Sequence, residues 1–424
     1  MKQEWRDKYK EIAKSPGIEN FQVLTGFNAN IDRKIEFEDL DWSLNVDPEK
    51  KSEVSNLEDV KQVLKYAIEN GENLEVDATN LNQTFEEGEK SLGGQGAIMS
   101  NFLSGLNGSV TFYTPLLSQN LADMMDDRVL HPYFDKEFSL KNIRDAANTD
   151  RTKENIIIEF KKPKSGRLIL SDKLRGFGPY FRSGISENIR LIDENIEGAL
   201  LAGYQNIKGN REVKIEKSKK QLQKIESRKH LELADTERSL FNIIGSEIIP
   251  LVDSIGLDET EALKLAEMAG KESSEDLGIG EAFDLLTDLM EETGLVRCHL
   301  HTYRYHLLIA SEDYWADKDI LLKSILFGEV SAIKSAEENK IPDIDDFGEL
   351  NFDDKHIKKL DELEKFQEFF QLEKFVETGK AEIDGHKICA IPTLIHENPK
   401  RLVGMGDLIS SGAFAYELSK ENEQ

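Results

Sequence analysis

The chain has 424 residues, enough for a large α/β domain carrying a smaller one. Hydrophobic residues make up 39%, which supports a sizeable core and argues against wholesale disorder. Its 54 Lys and Arg against 81 Asp and Glu give a formal net charge of −27, a poor match to nucleic acid or an anionic membrane. The two cysteines, Cys298 and Cys389, are too few for a disulfide framework and point to a reducing compartment. Residues 1–14 are charged and lack the apolar run of a secretory leader. No stretch approaches the roughly 18 apolar residues of a spanning helix. The expectation is a soluble cytoplasmic protein with no membrane and no nucleic-acid partner.

Residues 2–14 read as an exposed amphipathic helix stopped by Ser15-Pro16-Gly17. FQVLTGFNANID then reads as a short apolar strand running into a polar turn that presents Asn28, Asn30 and Asp32. From Arg33 to about Lys90 the chain is acidic and weakly periodic, with helix-like pieces such as LEDVKQVLKYAIENG. SLGGQGAIMSNFLSGL is a Gly-rich turn opening an apolar helix, followed by the strand VTFYTP. Residues 154–170 have the pattern of a hairpin. Beyond them strands and helices alternate: ALLAGY, HLELA, NIIGSEIIPLVDSIG and VRCHLHTYRYHLLIA read as strands. Helices around 355–375, a hairpin at 377–391 and GMGDLISSGAFAYEL complete the order.

Strands alternating with helices predict an α/β fold whose mostly parallel sheet is covered on both faces. The extra early strands predict a smaller α/β lid built from insertions. The large domain is expected over 1–32, 93–150 and 186–424, and the lid over 33–92 and 151–185. Residues 208–230 depart from the acidic background, with nine Lys or Arg against three Glu. They read as a phosphate- or nucleic-acid-binding patch or as a solvated helix face; without interleaved aromatics the second reading is preferred.

Gly404-Met405-Gly406-Asp407 ahead of an apolar helix carries the strongest chemical signal. Two glycines let backbone N–H groups converge on an anion at a helix N-terminus, where the macrodipole also favours negative charge. An Asp at that junction can take the proton of an attacking hydroxyl, the arrangement phosphoryl transfer needs. A plain Gly turn with an Asp cap has the same letters. No GxxxxGK[ST] occurs, which excludes a P-loop. Gly26 to Asp32 lies at a strand's carboxyl end, where open α/β sheets bind ligands, and reads as sugar-hydroxyl ligands or as an Asx turn. Gly93-Gly94-Gln95-Gly96 reads as backbone access to a polyol or as a tight turn. Strand periodicity puts His230 and Glu232 on one face, and Asp258-Glu259-Thr260-Glu261 follows another strand. Carboxylates at two strand ends can hold Mg²⁺ through water beside phosphates, or be surface acids. Cys298, His299 and His301 invite a zinc reading, but with no CxxC or HExxH they read as ordinary strand residues.

The order of these motifs resembles the ADP-dependent glucokinase and phosphofructokinase family of the ribokinase-like superfamily. The likeness spans roughly 20–415 and is firmest at FNANID, GGQGAIMSN, LAGYQ, HLELA, VDSIGLDETE, CHLHTY and VGMGD. It implies a three-layer ribokinase-like domain, a lid that closes on a sugar, and transfer of the terminal phosphoryl of ADP to a hexose or hexose phosphate with release of AMP. By the same analogy Asp407 is the base, and Gly404 and Gly406 form the anion hole. Asn30, Asp32, Gly94 and Gln95 bind the sugar, and Glu232 and Glu261 organise Mg²⁺ with His230 beside them. Three positions depart from the family pattern: Asp258 for Asn, Leu402 for a hydroxyl residue, and GGQ for the commoner GGN. A lid Glu suits glucose, with Glu75 favoured over Glu72, whereas Lys173, Arg175 and Arg182 suit a sugar phosphate. The resemblance leaves open fructose 6-phosphate, glucose or both. A lapsed nucleotide or sugar sensor, or an ATP-dependent kinase of the wider superfamily for a small sugar or nucleoside, are the alternatives. A monomer is expected.

Overall fold

A computed structural model describes residues 1–424 apart from 41, 80–84, 86–87, 162–165, 173, 175, 272–276, 349, 351–352, 397–398, 401–402 and 422–424. Its centre is an eleven-stranded sheet. Seven neighbouring strands run parallel, in the order Arg297–His301, Ser254–Leu257, Arg228–Glu232, Gly198–Leu201, Gln22–Gly26, Ser109–Tyr113 and Leu130–Phe134. Antiparallel strands close both edges: Phe138–Asn142 on one side, and Tyr305–Ser311, His386–Pro392 and Lys380–Ile383 on the other. Gly198–Leu201 and Ser254–Leu257 are buried at every position rather than at alternate ones, because helices cover both faces of the sheet there.

A second, six-stranded sheet runs in the order Glu53–Val54, Leu74–Ala78, Gly166–Ser171, Glu154–Phe160, Asn30–Glu36 and Glu89–Gly93. One of its faces packs on the helix Leu57–Asn70 through Val60, Val63, Leu64, Val76, Ile156, Ile158, Leu168 and Leu170. That helix begins where Asn56 accepts the Asp59 N–H and ends at Gly71, whose φ of +65° suits glycine. The opposite face carries Asp32, Asn155, Ser171 and Asp77 in one cross-strand row. Ala29, Ile31, Leu92, Ala97 and Phe112 form a separate cluster that joins the two sheets.

Several elements differ from the sequence reading. Asn30 and Asp32 lie inside a strand, not in a turn, and Gly93 belongs to the same sheet. Phe177, Phe181 and Ile185 pack in the large core, so the second sheet's territory ends near Ser171 rather than at residue 185. NIIGSE belongs to the helix Arg238–Glu247, and VRCHLHTYRYHLLIA is a hairpin of two strands turning at 302–304. Each is a run of apolar residues long enough for either element, which periodicity alone does not separate. All nine cations of 208–230 have partners, among them Arg211 with Glu237, Lys217 over the Tyr180 ring and Lys229 with Asp253. No described helix is long and apolar enough to cross a membrane.

The N-terminal helix Lys2–Lys14 is anchored rather than exposed. Trp5 and Tyr9 are buried; the Trp5 indole donates to the Val376 carbonyl at 2.9 Å and the Tyr9 hydroxyl to Pro392 at 2.5 Å. Trp5→Ala is expected to lower stability by about 3–5 kcal/mol, read as a shift in the urea midpoint; an unchanged midpoint would remove this helix from the cooperative unit.

Candidate active site

The buried helix Met405–Glu421 opens at Gly404, whose φ of +78° is costly for a residue with a Cβ. The first N–H groups of a helix lack intrahelical acceptors and point outward with the positive end of the dipole. Asp407 lies in this first turn, 8% exposed, and a Cβ on Gly404 would come within 3.4 Å of its Oδ2. Gly406 passes over His301, whose Cε1 would be 2.9 Å from an added Cβ. Gly404, Gly406 and Asp407 therefore form one turn at a helix N-terminus, with a carboxylate folded against it.

Beside it lie the ends of two parallel strands, in register at His230–Ser254 and Glu232–Gly256. Gly256 leaves room that no side chain can take, since a Cβ there would fall 2.0 Å from Glu232 Oε2 and 2.2 Å from Ser410 Oγ. Glu232 is 4% exposed. Its Oε1 meets His301 Nε2 at 3.2 Å, while Oε2, 3.5 Å from His230 Nε2, has no hydrogen-bond partner. Burial alone would raise this carboxyl, but His230 and His301 outweigh it and hold it down to about 2. Burial works against protonation of His301 as well, yet the bond to Glu232 raises its pKa. Glu261 opens the helix Glu259–Met268 in a capping box: its Oε2 accepts the Asp258 N–H at 2.6 Å and Asp258 Oδ1 accepts the Glu261 N–H at 2.9 Å. Burial and the neighbouring Asp258 and Glu232 carboxyls raise Glu261 strongly.

Three crowded acids and an unpartnered buried oxygen suit a hard divalent cation that keeps part of its water shell and shares phosphate oxygens. Among the described residues no three His, Cys, Asp or Glu side chains converge as a closed metal cage. His230 does not fit as a ligand: its Nδ1 meets Ser254 Oγ at 2.8 Å and its Nε2 meets Ser410 Oγ at 2.9 Å.

Asn30 and Asp32 face Gly93 across the second sheet. Asp32 Oδ1 accepts from Asn30 Nδ2 at 2.6 Å and from Asn155 Nδ2 at 3.1 Å. Burial pushes the Asp32 carboxyl up to about 6, against those hydrogen bonds and the Lys153 ammonium, with Glu75 adding repulsion. Glu75 itself is exposed on the strand Leu74–Ala78. Gly94 has a φ of +86° and sits against Ala29, where a Cβ would approach Cα to 2.8 Å. Gln95 bridges towards the other half of the site, donating to the Leu233 carbonyl at 3.1 Å and accepting from Gln205 at 2.8 Å. Arg182 is paired with Asp150 at 3.0 Å, while Arg175, Lys173 and Leu402 lie outside the described residues.

Sequence reasoning missed Ser254, Gly256, Ser410, Asn155 and the buried Lys153, whose Nζ reaches Asn206 Oδ1 at 3.0 Å. It also left His301 as an ordinary strand residue. For Ser254 and Gly256 no local pattern marks them; only the strand register brings them to His230 and Glu232.

A doubly covered α/β sheet with a glycine-opened helix end and buried carboxylates beside it is the setting of a small-molecule kinase. The chain belongs to the ADP-specific phosphofructokinase/glucokinase family, whose conserved region, described as "ADP-specific Phosphofructokinase/Glucokinase conserved region", matches residues 21–416. Among its relatives is an ADP-specific phosphofructokinase of Pyrococcus horikoshii, 27% identical over 93% of this chain and 97% of that one. Another is an ADP-dependent glucose/glucosamine kinase of Pyrococcus furiosus, 26% identical over 98% and 99%. A solved ADP-dependent kinase in complex with fructose 6-phosphate and ADPβS shares the fold, with a TM-score of 0.85 and 24% identity over 100% of this chain and 99% of that one.

The raised Asp32 carboxyl predicts a pH effect on stability. Its extra proton affinity in the folded state stabilises fully below the ordinary carboxylate range near about pH 4, and the gain is lost as pH rises through about 6. Asp32→Asn is expected to remove that part of the slope. A constant offset between the two urea midpoints from acid to neutral pH would contradict the burial of this charge.

Proposed function

We propose that the chain transfers the terminal phosphoryl group of ADP to a hydroxyl of fructose 6-phosphate, glucose or both, with Mg²⁺, releasing AMP. The observation that carries the reading is the turn Gly404–Asp407 opening a buried helix beside Glu232 and Glu261, in a chain that matches the family nearly end to end. The names of the Pyrococcus relatives and the fructose 6-phosphate complex support the two acceptors.

In this reading the sugar lies over Asn30, Asp32, Gly94 and Gln95, with residues 33–92 and 151–171 contributing most of a lid. Asn30 and Asp32 hold sugar hydroxyls as donor and acceptor. Asp407 takes the proton of the attacking hydroxyl as its oxygen bonds to the β-phosphorus of ADP; the P–O bond to AMP breaks and its electron pair stays on the α-phosphate oxygen. The N–H groups following Gly404 meet the charge that grows on the phosphoryl oxygens. Glu232 and Glu261 would hold Mg²⁺ through water, and the bound ion would supply charge neutralisation to the phosphates. Closure around the sugar keeps water from competing for the phosphoryl group. Lys153, buried next to Asp32, supports a sugar-phosphate acceptor, and Glu75 supports glucose.

Purified protein with Mg²⁺ and ADP is expected to form AMP with at least one of the two sugars and to give no turnover with ATP. Turnover with ATP alone, or silence with every pair at low and high salt, would overturn the reading. Asp407→Ala is expected to cut kcat by about 10³-fold without loss of fold; a variant near full activity would unseat Asp407 as the base. Glu75→Gln should raise the glucose KM by about tenfold and Lys153→Met the fructose 6-phosphate KM by about tenfold, one lost polar contact each.

A further inference from the structure

The central sheet sets Arg297, Ser254 and His230 side by side, one from each of three neighbouring strands, in register. The next row on the same face reads His299, Gly256 and Glu232. Across these rows lies one stripe of the helix Met405–Glu421. Gly406 sits over His301, Ser410 meets His230, Phe414 stacks on the His230 ring with centroids 5.2 Å apart, and Glu417 meets Arg297. The spacing of these four positions is that of a single helix face.

Arg297 and Glu417 are fully buried. The guanidinium donates through Nη2 to Glu417 Oε1 at 2.7 Å and through Nε to both carboxylate oxygens at 3.0–3.1 Å. Tyr314 and Ser324 also donate to that carboxylate, at 2.8 and 2.9 Å. The remaining arm, Nη1, donates to Ser254 Oγ at 3.1 Å. A guanidinium has donors only, so the Ser254 oxygen accepts from it and the hydroxyl proton is left to donate. His230 Nδ1 lies 2.8 Å away to receive it. An imidazole whose Nδ1 accepts carries its proton on Nε2, which faces Ser410 Oγ at 2.9 Å and Glu232 Oε2 at 3.5 Å. The opposite tautomer would deny the Ser254 hydroxyl proton its acceptor on the ring and turn a bare lone pair toward the Glu232 carboxylate.

We propose that Arg297 is a positioning residue for phosphoryl transfer: through Ser254 it fixes His230 as the Nε2–H tautomer, whose N–H donates to Ser410 on the helix that opens at Gly404 and turns its positive edge toward the Glu232 carboxylate 3.5 Å away. Arg297 touches neither nucleotide nor sugar in this account and acts only through the serine. The consequence for catalysis rests on the proposed function; the tautomer does not.

The test uses the full chain with ¹⁵N-labelled histidine, its ring nitrogens correlated with their carbon-bound protons near neutral pH, and His230→Gln to assign the His230 signals. The wild type is expected to show a bare Nδ1 and a protonated Nε2. Ser254→Ala should give a mixture of tautomers, and Ser254→Thr, which keeps the hydroxyl, should restore one. In turnover, Ser254→Ala is expected to lower kcat by about tenfold while the sugar KM moves by less than about twofold, and Ser254→Thr to recover most of the loss. A wild-type His230 protonated at Nδ1 overturns the proposal, and so does a Ser254→Ala chain with unchanged tautomer and unchanged kcat. Should the alanine variant not fold, the wild-type spectrum still decides. A wild-type chain without turnover overturns the proposed function alone, because the tautomer is read without any reaction.

Discussion

The molecule is organised around one helix that has no surface of its own. From Asp407 to Ser419 every residue of Met405–Glu421 is buried, and its polar side chains must find partners inside the protein. Glu417 finds three groups, Arg297, Tyr314 and Ser324, and Ser410 finds His230. The helix Lys318–Glu338 crosses it so closely that a Cβ on Gly328 would lie 2.3 Å from the Ile409 carbonyl oxygen. A buried ion pair such as Arg297–Glu417 adds little net stability, but removing one partner alone strands a charge, at a cost of about 3–5 kcal/mol. The pair therefore sets rotation and height of the helix more than it strengthens the fold. Once those are set, the place of the turn at its N-terminus follows.

Legibility in the sequence follows how local each feature is. Gly404, Gly406 and Asp407 lie within four consecutive letters, and their meeting in one turn needs nothing from the rest of the chain. The His230–Glu232 pair needs only the two-residue period of a strand. The hairpin at 154–170 and the helix Leu57–Asn70 likewise carry their own punctuation, a Pro/Gly turn in one and Asn56 and Gly71 in the other. Asn30 and Asp32 were misread as a turn because both residue types favour turns; pairing with Glu154–Phe160 and Glu89–Gly93 overrode that preference. Ser254 and Gly256 are invisible for a different reason: strand register is a tertiary property, and SIGL carries no mark of what will lie beside it.

The charge of the chain also resolves into two parts. Cations of the basic stretch are engaged one by one by carboxylates, carbonyls and a ring, so the local surplus is absorbed by the fold. In the interior, charge sits where residues from distant segments meet: Glu232 with His301, Arg297 with Glu417, and Asp32 near Lys153. The last of these lies beside the row through which the second sheet meets the first, where Lys208 also pairs with Asp77 and Lys153 with Asn206.

The central helix is encoded after nearly all the strands it rests on. During synthesis the sheet is therefore complete while the trough along Arg297, His299 and His230 is still uncovered, with the Arg297 guanidinium and the His230 imidazole lacking their partners Glu417 and Ser410. Contacts between residues as far apart as His230 and Ser410 close late and carry high contact order. A nascent chain has to wait with part of its interior open, the kind of surface on which holding chaperones act. The same delay means that no emerging fragment has a finished interior before its last structural piece has docked.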